Sequence, residues 1–309
     1  MRLVKVTALA GGVGGAKLLV GLARTLGPDE LTAVVNTGDD ARVYGVHVAP
    51  DLDIVTYWLA GMADTERGWG IEGDGFTVVD ALGRLGADDW FRLGDADLAT
   101  CLYRSQRLAE GATLAQATDE IRRSLGVEAE ILPMSNHEVR TRVVTADGRD
   151  LEFQEYFVKE RAAPEVSEVR LSGLEKASPA PGVLEAIEEA DRVVICPSNP
   201  YLSIAPIAAL PGVREALRAH PRVIAVSPIV AGRAVKGPAG SLLANLAGES
   251  SASAVARLYA DFLDLFALDT RDSGEIERVR QTGVEALSLD TLMVDHDASE
   301  RLTRALLAA

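Results

Sequence analysis

The stretch Ala10-Gly11-Gly12-Val13-Gly14-Gly15-Ala16-Lys17 has the composition of a loop that cradles phosphate. Glycines placed directly before a helix leave its first N–H groups open to an anion, the helix dipole adds attraction, and a lysine in the first turn supplies a cation. The spacing matches neither the Walker A pattern nor GxGxxG, because Ala16 and Lys17 stand where those patterns need other residues. A tight βα turn requiring positive φ is the plainer explanation of glycines alone. Four of them followed by Lys17 favour phosphate, with Gly11, Gly12, Gly14, Gly15 and Lys17 as the contacts.

A second constellation is Asn36-Thr37-Gly38-Asp39-Asp40. Two adjacent carboxylates suit a hard cation such as Mg²⁺ that bridges phosphate oxygens, and either Asp has the chemistry of a general base toward a hydroxyl. The competing explanation is a solvated Asx turn. Pro50-Asp51-Leu52-Asp53 leads into a helix, where Asp53 is as well suited to capping as to binding. Arg92, preceded by Trp90 and Phe91, is a cation beside two rings and would serve a flat polar ligand. The Asp95-Ala96-Asp97 turn that follows is equally a capped helix start. Ser198 and Asn199, between Pro197 and Pro200, present a hydroxyl and an amide for hydrogen bonding to a base or phosphate; no GxSxG elbow marks a serine nucleophile. Lys236, in a Gly/Pro-bounded loop, is a further phosphate cation or simply a solvent-facing lysine.

These residues need a scaffold that brings them together. The apolar run Leu3–Leu9, helical spacing over 16–26 and a second run at Leu31–Val35 describe the βαβ opening of a parallel sheet. Segments 53–61, 76–86, 95–109 and 113–125 read as helices, the last begun by a Thr113/Gln116 capping box. The period falls to two between 139 and 171, with strands over 139–145, 151–158 and 166–171 and a hairpin turn at Asp147-Gly148. Alternation then resumes, with strands near 192–196, 223–226, 265–268 and 286–289, a helix running to His220, helices at 239–247 and 252–264, and a last helix at 298–307. The expectation is a doubly wound, Rossmann-like parallel α/β sheet. Its core spans 1–60 and 129–309, interrupted by a helical insertion over 61–128 and by a β-hairpin. In such sheets ligands sit beyond the carboxyl ends of the strands, which is where the loops singled out above fall.

Composition narrows the ligand. The chain has 309 residues, 31 basic against 46 acidic, and a net charge of −15. That balance excludes broad nucleic-acid binding and adsorption to anionic membranes, so phosphate must be met by local cations or backbone N–H groups. Cys101 and Cys196 form no CxxC, and the four histidines, His47, His137, His220 and His296, show no ligand spacing for zinc. Arg2 and Lys5 before an apolar run look like a secretory signal, but the glycines and Lys17 break the run. A cytoplasmic protein is expected. Residue chemistry alone points to an Mg²⁺-assisted enzyme or binder of a phosphorylated nucleotide.

Taken in order, GGVGGAKLLVGL at 11–22, NTGDD at 36–40, PDLD at 50–53, LGDADLA at 93–99, LPM at 132–134, FQEYFV at 153–158, CPSNP at 196–200, SPIV at 227–230 and VKGP at 235–238 resemble the 2-phospho-L-lactate transferase (CofD-like) family. Each is weak alone; together they span nearly the whole chain. The resemblance implies an Mg²⁺-dependent, commonly dimeric enzyme of coenzyme F(420) biosynthesis. It would move 2-phospholactate, or phosphoenolpyruvate in actinobacterial relatives, from a guanosine diphosphate donor to the ribityl hydroxyl of the deazaflavin Fo, releasing GMP. It places Asp53 and Arg92 on Fo, Gly11 to Gly15, Ser198 and Asn199 on the nucleotide, and Asp39 and Asp40 at the metal. Asp40 and Asp51 are then the candidate catalytic carboxylates, and Lys17 and Lys236 the local cations. Departures are Ala96 where the family usually has Arg or Lys, Cys101 where it often has His, and Ile54 where it usually has Thr. Distant relatives with a similar loop and turn bind nucleotide sugars as regulators, the alternative from another class. An NAD-dependent oxidoreductase is disfavoured by the failed GxGxxG.

Overall fold

The computed structural model describes residues 4–309; Arg2, and Leu3 at the start of the expected first strand, lie outside the described residues. Seven strands form the central sheet: β1 (Val6–Ala10), β2 (Leu31–Val35), β3 (Glu130–Pro133), β4 (Arg192–Ile195), β5 (Val223–Val226), β6 (Leu265–Asp269) and β7 (Glu285–Leu289). All neighbours are parallel, in the order β7-β6-β5-β4-β1-β2-β3. Buried on both faces, β5 is an uninterrupted aliphatic and small run, as parallel strands require, and β1 differs by Thr7, whose Oγ1 donates to the Ala186 carbonyl. Alternate side chains feed two cores. Leu9, Val34, Val193 and Ile195 point to one, Ala8, Ala10, Ala33 and Val194 to the other. The order in which strands are added reverses between β1 and β4, so the crevice between their carboxyl ends is the switch point where ligands bind in doubly wound sheets.

Helix α1 (Gly12–Thr25) leaves β1 directly and packs against the C-terminal helix His296–Ala308. The approach is close at Gly21, where a Cβ would stand 2.7 Å from Thr303 Oγ1. Helix α2 (Pro50–Leu59) starts with Pro50 in its first turn, where a missing N–H costs nothing, and buries Leu52, Val55 and Trp58 in the second core. Helices α3 (Thr77–Arg84), α4 (Asp95–Ala109) and α5 (Leu114–Ser124) fill the segment read as a helical insertion. The Thr113/Gln116 capping box starts α5 as expected. Val79, Leu93, Leu98 and Cys101 make a small separate core with Val46 and Val48.

Several local expectations are corrected. The hairpin Ala41–Val43/Val46–Val48 and the edge strand β3 are additions, too short for periodicity to reveal. The strand expected over 151–158 ends at Glu152, and Glu155–Lys159 coils into a π-helical turn. Leu151, Phe153 and Phe157 at odd positions, with Glu152 and Gln154 between, imitate a strand, but the turn stacks Phe153 on Phe157 at 5.4 Å and buries Tyr156. The helix expected to run to His220 is broken into Ala205–Ala208 and Val213–Ala219, with Gly212 in the left-handed region between them.

Candidate active site

The glycine loop, the β2 loop and the β4 loop converge at the switch point. Ser198 Oγ donates to the Gly11 carbonyl at 2.8 Å and accepts from the Gly11 N–H at 3.1 Å. The glycines are explained mainly by close approach. A Cβ at Gly11 would overlap the Asp51 carboxylate and Ser203, one at Gly14 would overlap the Pro197 carbonyl, and one at Gly15 would stand 2.7 Å from Ser198 Oγ. Within the loop only Gly12 has positive φ, at 65°.

Carboxylates meet this loop from the other side. Gly12 N–H donates to Asp51 Oδ1 at 2.7 Å, and Asn36 Nδ2 donates to Asp51 Oδ2 at 2.9 Å and to Asp39 Oδ1 at 3.0 Å. Asn36 Oδ1 accepts from Gly38 N–H at 2.8 Å, so the Asx turn exists and its amide also gathers two carboxylates. Gln154, just before the π-helical turn, donates to the Asp39 carbonyl at 3.2 Å. Asp39, Asp40 and Asp51 are all buried. Burial and the charges of Asp51 and Asp40 hold the Asp39 carboxyl well above the usual range. Burial likewise pushes Asp51 up to about 6, against the hydrogen bonds from Asn36 and Gly12. Asp40 is raised by burial, with His47 opposing the shift.

His47, on the unforeseen hairpin, places Nε2 at 2.8 Å from Asp40 Oδ2. Asp40 Oδ1 and Thr37 Oγ1 are buried without a hydrogen-bond partner. Three buried carboxylates with few compensating cations, a free oxygen and only hard donors fit Mg²⁺. A second group, Asp53, Asp97 and Cys101, brings ligand atoms within 4.8 Å of one another. It is poorly suited to a metal. The Arg104 guanidinium already grips both oxygens of Asp53, Nη1 standing 3.1 Å from Oδ2, and burial keeps the Cys101 thiol protonated. Asp97 accepts from Tyr57 Oη at 2.9 Å and is pushed up to about 7 by burial and then by Asp53.

The remaining candidates are placed as follows. Lys17 Nζ donates to the Met293 carbonyl at 3.0 Å and lies 5.6 Å from the centre of the Trp58 ring. Lys236 donates to the Arg67 carbonyl, and its pKa is lowered by burial and then by the charge of Lys17. Asn199 caps the following turn, its oxygen accepting from Tyr201 and Leu202 N–H, while its Nδ2 is buried without a partner. Arg92 lies 4.5 Å from the Phe76 ring and pairs with Asp80 at 2.7 Å. The expected ring partners differ, since Trp90 and Phe91 pack on each other. Ala96 N–H is taken by Asp74, while Asp95 caps α3 through Thr77 and Val78 N–H, so the Asp95 turn does serve as a cap, for the neighbouring helix. Sequence reasoning missed His47, Arg104, Asp97 and Gln154 as site residues. Asp97, Cys101 and Arg104 lie four and three residues apart on α4, a one-face spacing that signals their cluster.

A family model described as 2-phospho-L-lactate transferase CofD matches residues 6–307. The chain belongs to this family. CofD-family relatives cover it almost end to end. It is 41% identical over 300 residues to the 2-phospho-L-lactate transferase of Methanosarcina mazei, covering 97% of this chain and 98% of that one. It is also 41% identical over 312 residues to the phosphoenolpyruvate transferase of Kitasatospora aureofaciens, covering 99% and 97%. The solved structure of a UPF0052-family protein, BH3568 of Bacillus halodurans, shares the fold with a TM-score of 0.68 at 19% identity over 99% of each chain. As a CofD-family member the protein is a transferase.

Proposed function

We propose that this transferase acts in coenzyme F(420) biosynthesis, moving 2-phospholactate or phosphoenolpyruvate from a guanosine diphosphate donor to the ribityl hydroxyl of the deazaflavin Fo. The hydroxyl oxygen forms a bond to the terminal phosphorus of the donor, the bridging P–O bond breaks, and GMP leaves with that bond's electrons. The observation that carries the reading is the contact between Asp51 and Gly12, which joins the carboxylate cluster to the phosphate-type loop. Asp39 and Asp40 would hold Mg²⁺, which when bound neutralises charge on the donor phosphates. Asp51, pushed up to about 6, suits the carboxylate that receives the hydroxyl proton.

Lys17 and Lys236 answer the donor's phosphates, and the unpartnered Asn199 amide answers the nucleotide. Ser198 acts indirectly by pinning Gly11. Asp53 and Arg92 lie on the deazaflavin side, with Arg104 holding Asp53 in place. The family resemblance also supports a homodimer, which sedimentation of the purified protein checks. Among the described residues no helix is long and apolar enough to cross a membrane. The test is turnover of purified Fo with lactyl-, enolpyruvyl- and glyceryl-bearing guanosine donors, with MgCl₂ or EDTA. A phosphoester product and GMP, formed only with Mg²⁺, are expected. Tight nucleotide binding without product from any donor would favour a regulatory nucleotide-binding role instead.

A further inference from the structure

His47 touches the carboxylate cluster at one point and is itself held at two. Its Nε2 stands 2.8 Å from Asp40 Oδ2 and is the donor there whenever Asp40 is ionised, because an ionised carboxylate can only accept. Its backbone N–H donates to Ser105 Oγ at 2.7 Å, and its carbonyl accepts from Arg104 Nη1 at 3.2 Å. Ser105 is fixed in turn by donating to the Cys101 carbonyl at 2.7 Å. On the hairpin, His47 faces Arg42 across the two strands. Helix α4 therefore clamps the hairpin from which the imidazole projects. Asp40 is left with one oxygen engaged and the other, Oδ1, buried and without a partner. A carboxylate anchored through one oxygen by an N–H donor offers the other at a defined angle, the arrangement by which outer groups orient metal ligands.

We propose that His47 is a positioning residue for the transfer reaction: by holding Asp40 Oδ2 it presents Oδ1 to a divalent cation. The inference rests on the proposed role of Asp40 as a cation ligand and adds the group that orients it. It also gives the hairpin and α4 a function. The Arg104 that grips Asp53 on the acceptor side also holds the His47 carbonyl, so one side chain ties the two halves of the site together.

The experiment measures Mn²⁺ affinity of the full chain by electron paramagnetic resonance of the free ion. Wild type, His47→Ala, His47→Gln and His47→Asn are compared, with metal-free thermal melts confirming that each is folded. The Gln amide nitrogen falls near the position of Nε2 and can keep the bond; the Asn amide falls short of it. His47→Ala and His47→Asn are expected to weaken Mn²⁺ binding about tenfold or more, with His47→Gln recovering most of it. The Mg²⁺ concentration for half-maximal turnover should rise in parallel, with less change in kcat at saturating Mg²⁺. Should His47→Ala fail to fold, the Gln/Asn pair carries the comparison. Wild-type affinity in His47→Ala, or Gln no better than Asn, would overturn the positioning role alone. No Mn²⁺ binding by wild type would overturn the metal reading and this inference with it.

Discussion

Burial gives the site its chemistry one residue at a time. An aspartate on the surface ionises without cost, whereas Asp39, Asp40 and Asp51 are buried beside one another, so each is raised above the ordinary carboxylate range. Asp40→Asn keeps the size and one oxygen of the side chain but removes its charge. We expect Mg²⁺-dependent turnover to fall by about 100-fold or more with the circular dichroism spectrum unchanged; full activity would remove Asp40 from the mechanism. The glycines are equally specific. Gly14→Ala drives a methyl into the Pro197 carbonyl, a backbone atom that cannot rotate away. Urea denaturation should show a loss of about 1–3 kcal/mol, and KM for the donor should rise. Arg92→Ala should raise KM for Fo more than KM for the nucleotide donor, and equal effects would count against Arg92 on the acceptor side.

At the scale of elements, the site depends on how α2, α4 and the Ala41–Val48 hairpin are joined. The Asp53–Arg104 pair does much of this, since Asp53 is in the first turn of α2 and Arg104 is 1% exposed on α4. Removing one member leaves the other as an uncompensated buried charge, which costs more than the intact pair contributes. Arg104→Met is expected to lose about 3–5 kcal/mol in urea denaturation, and the double variant Asp53→Asn/Arg104→Met should recover part of it. Recovery would show that the unpaired carboxylate is the source of the loss. Mutual capping binds α3 and α4 as well: Asp95 accepts from Thr77 and Val78 N–H, and Asp74 from Ala96 and Asp97 N–H. The local pattern announced α4 as a capped helix, but a cap shared between two helices is invisible to either helix's own sequence.

For the whole molecule, buried carboxylates tie stability to pH. Asp97, raised to about 7, binds its proton more tightly folded than unfolded. Its contribution is therefore fully present below the unfolded value near 4 and is lost as pH rises through about 7. Asp97→Asn abolishes that dependence while keeping an acceptor for Tyr57. Its melting temperature relative to wild type should rise between pH 5 and pH 8; a constant difference would show that Asp97 does not titrate in this range. The net charge of −15 belongs to this scale too. Part of the acidic excess is gathered at the switch point, as the buried Asp39, Asp40 and Asp51, beside the positive N-terminus of α1.

The doubly wound plan, the glycine cluster and the acidic turn are legible in the sequence, because each is written in neighbouring residues. Strand runs at β1, β2 and β5 and the Thr113 cap are local patterns that packing did not override, whereas α1 begins at Gly12, inside the stretch expected as a loop. What the charged side chains face is set by packing between distant segments. His47 meets Asp40 across a hairpin too short to show a period, Arg104 reaches Asp53 from 51 residues away, and Asp51 touches Gly12 from 39 residues away. Those distances are set by how helices pack on the sheet. Desolvation, which turns ordinary aspartates into groups that titrate near neutrality, exists only once the packing has excluded water.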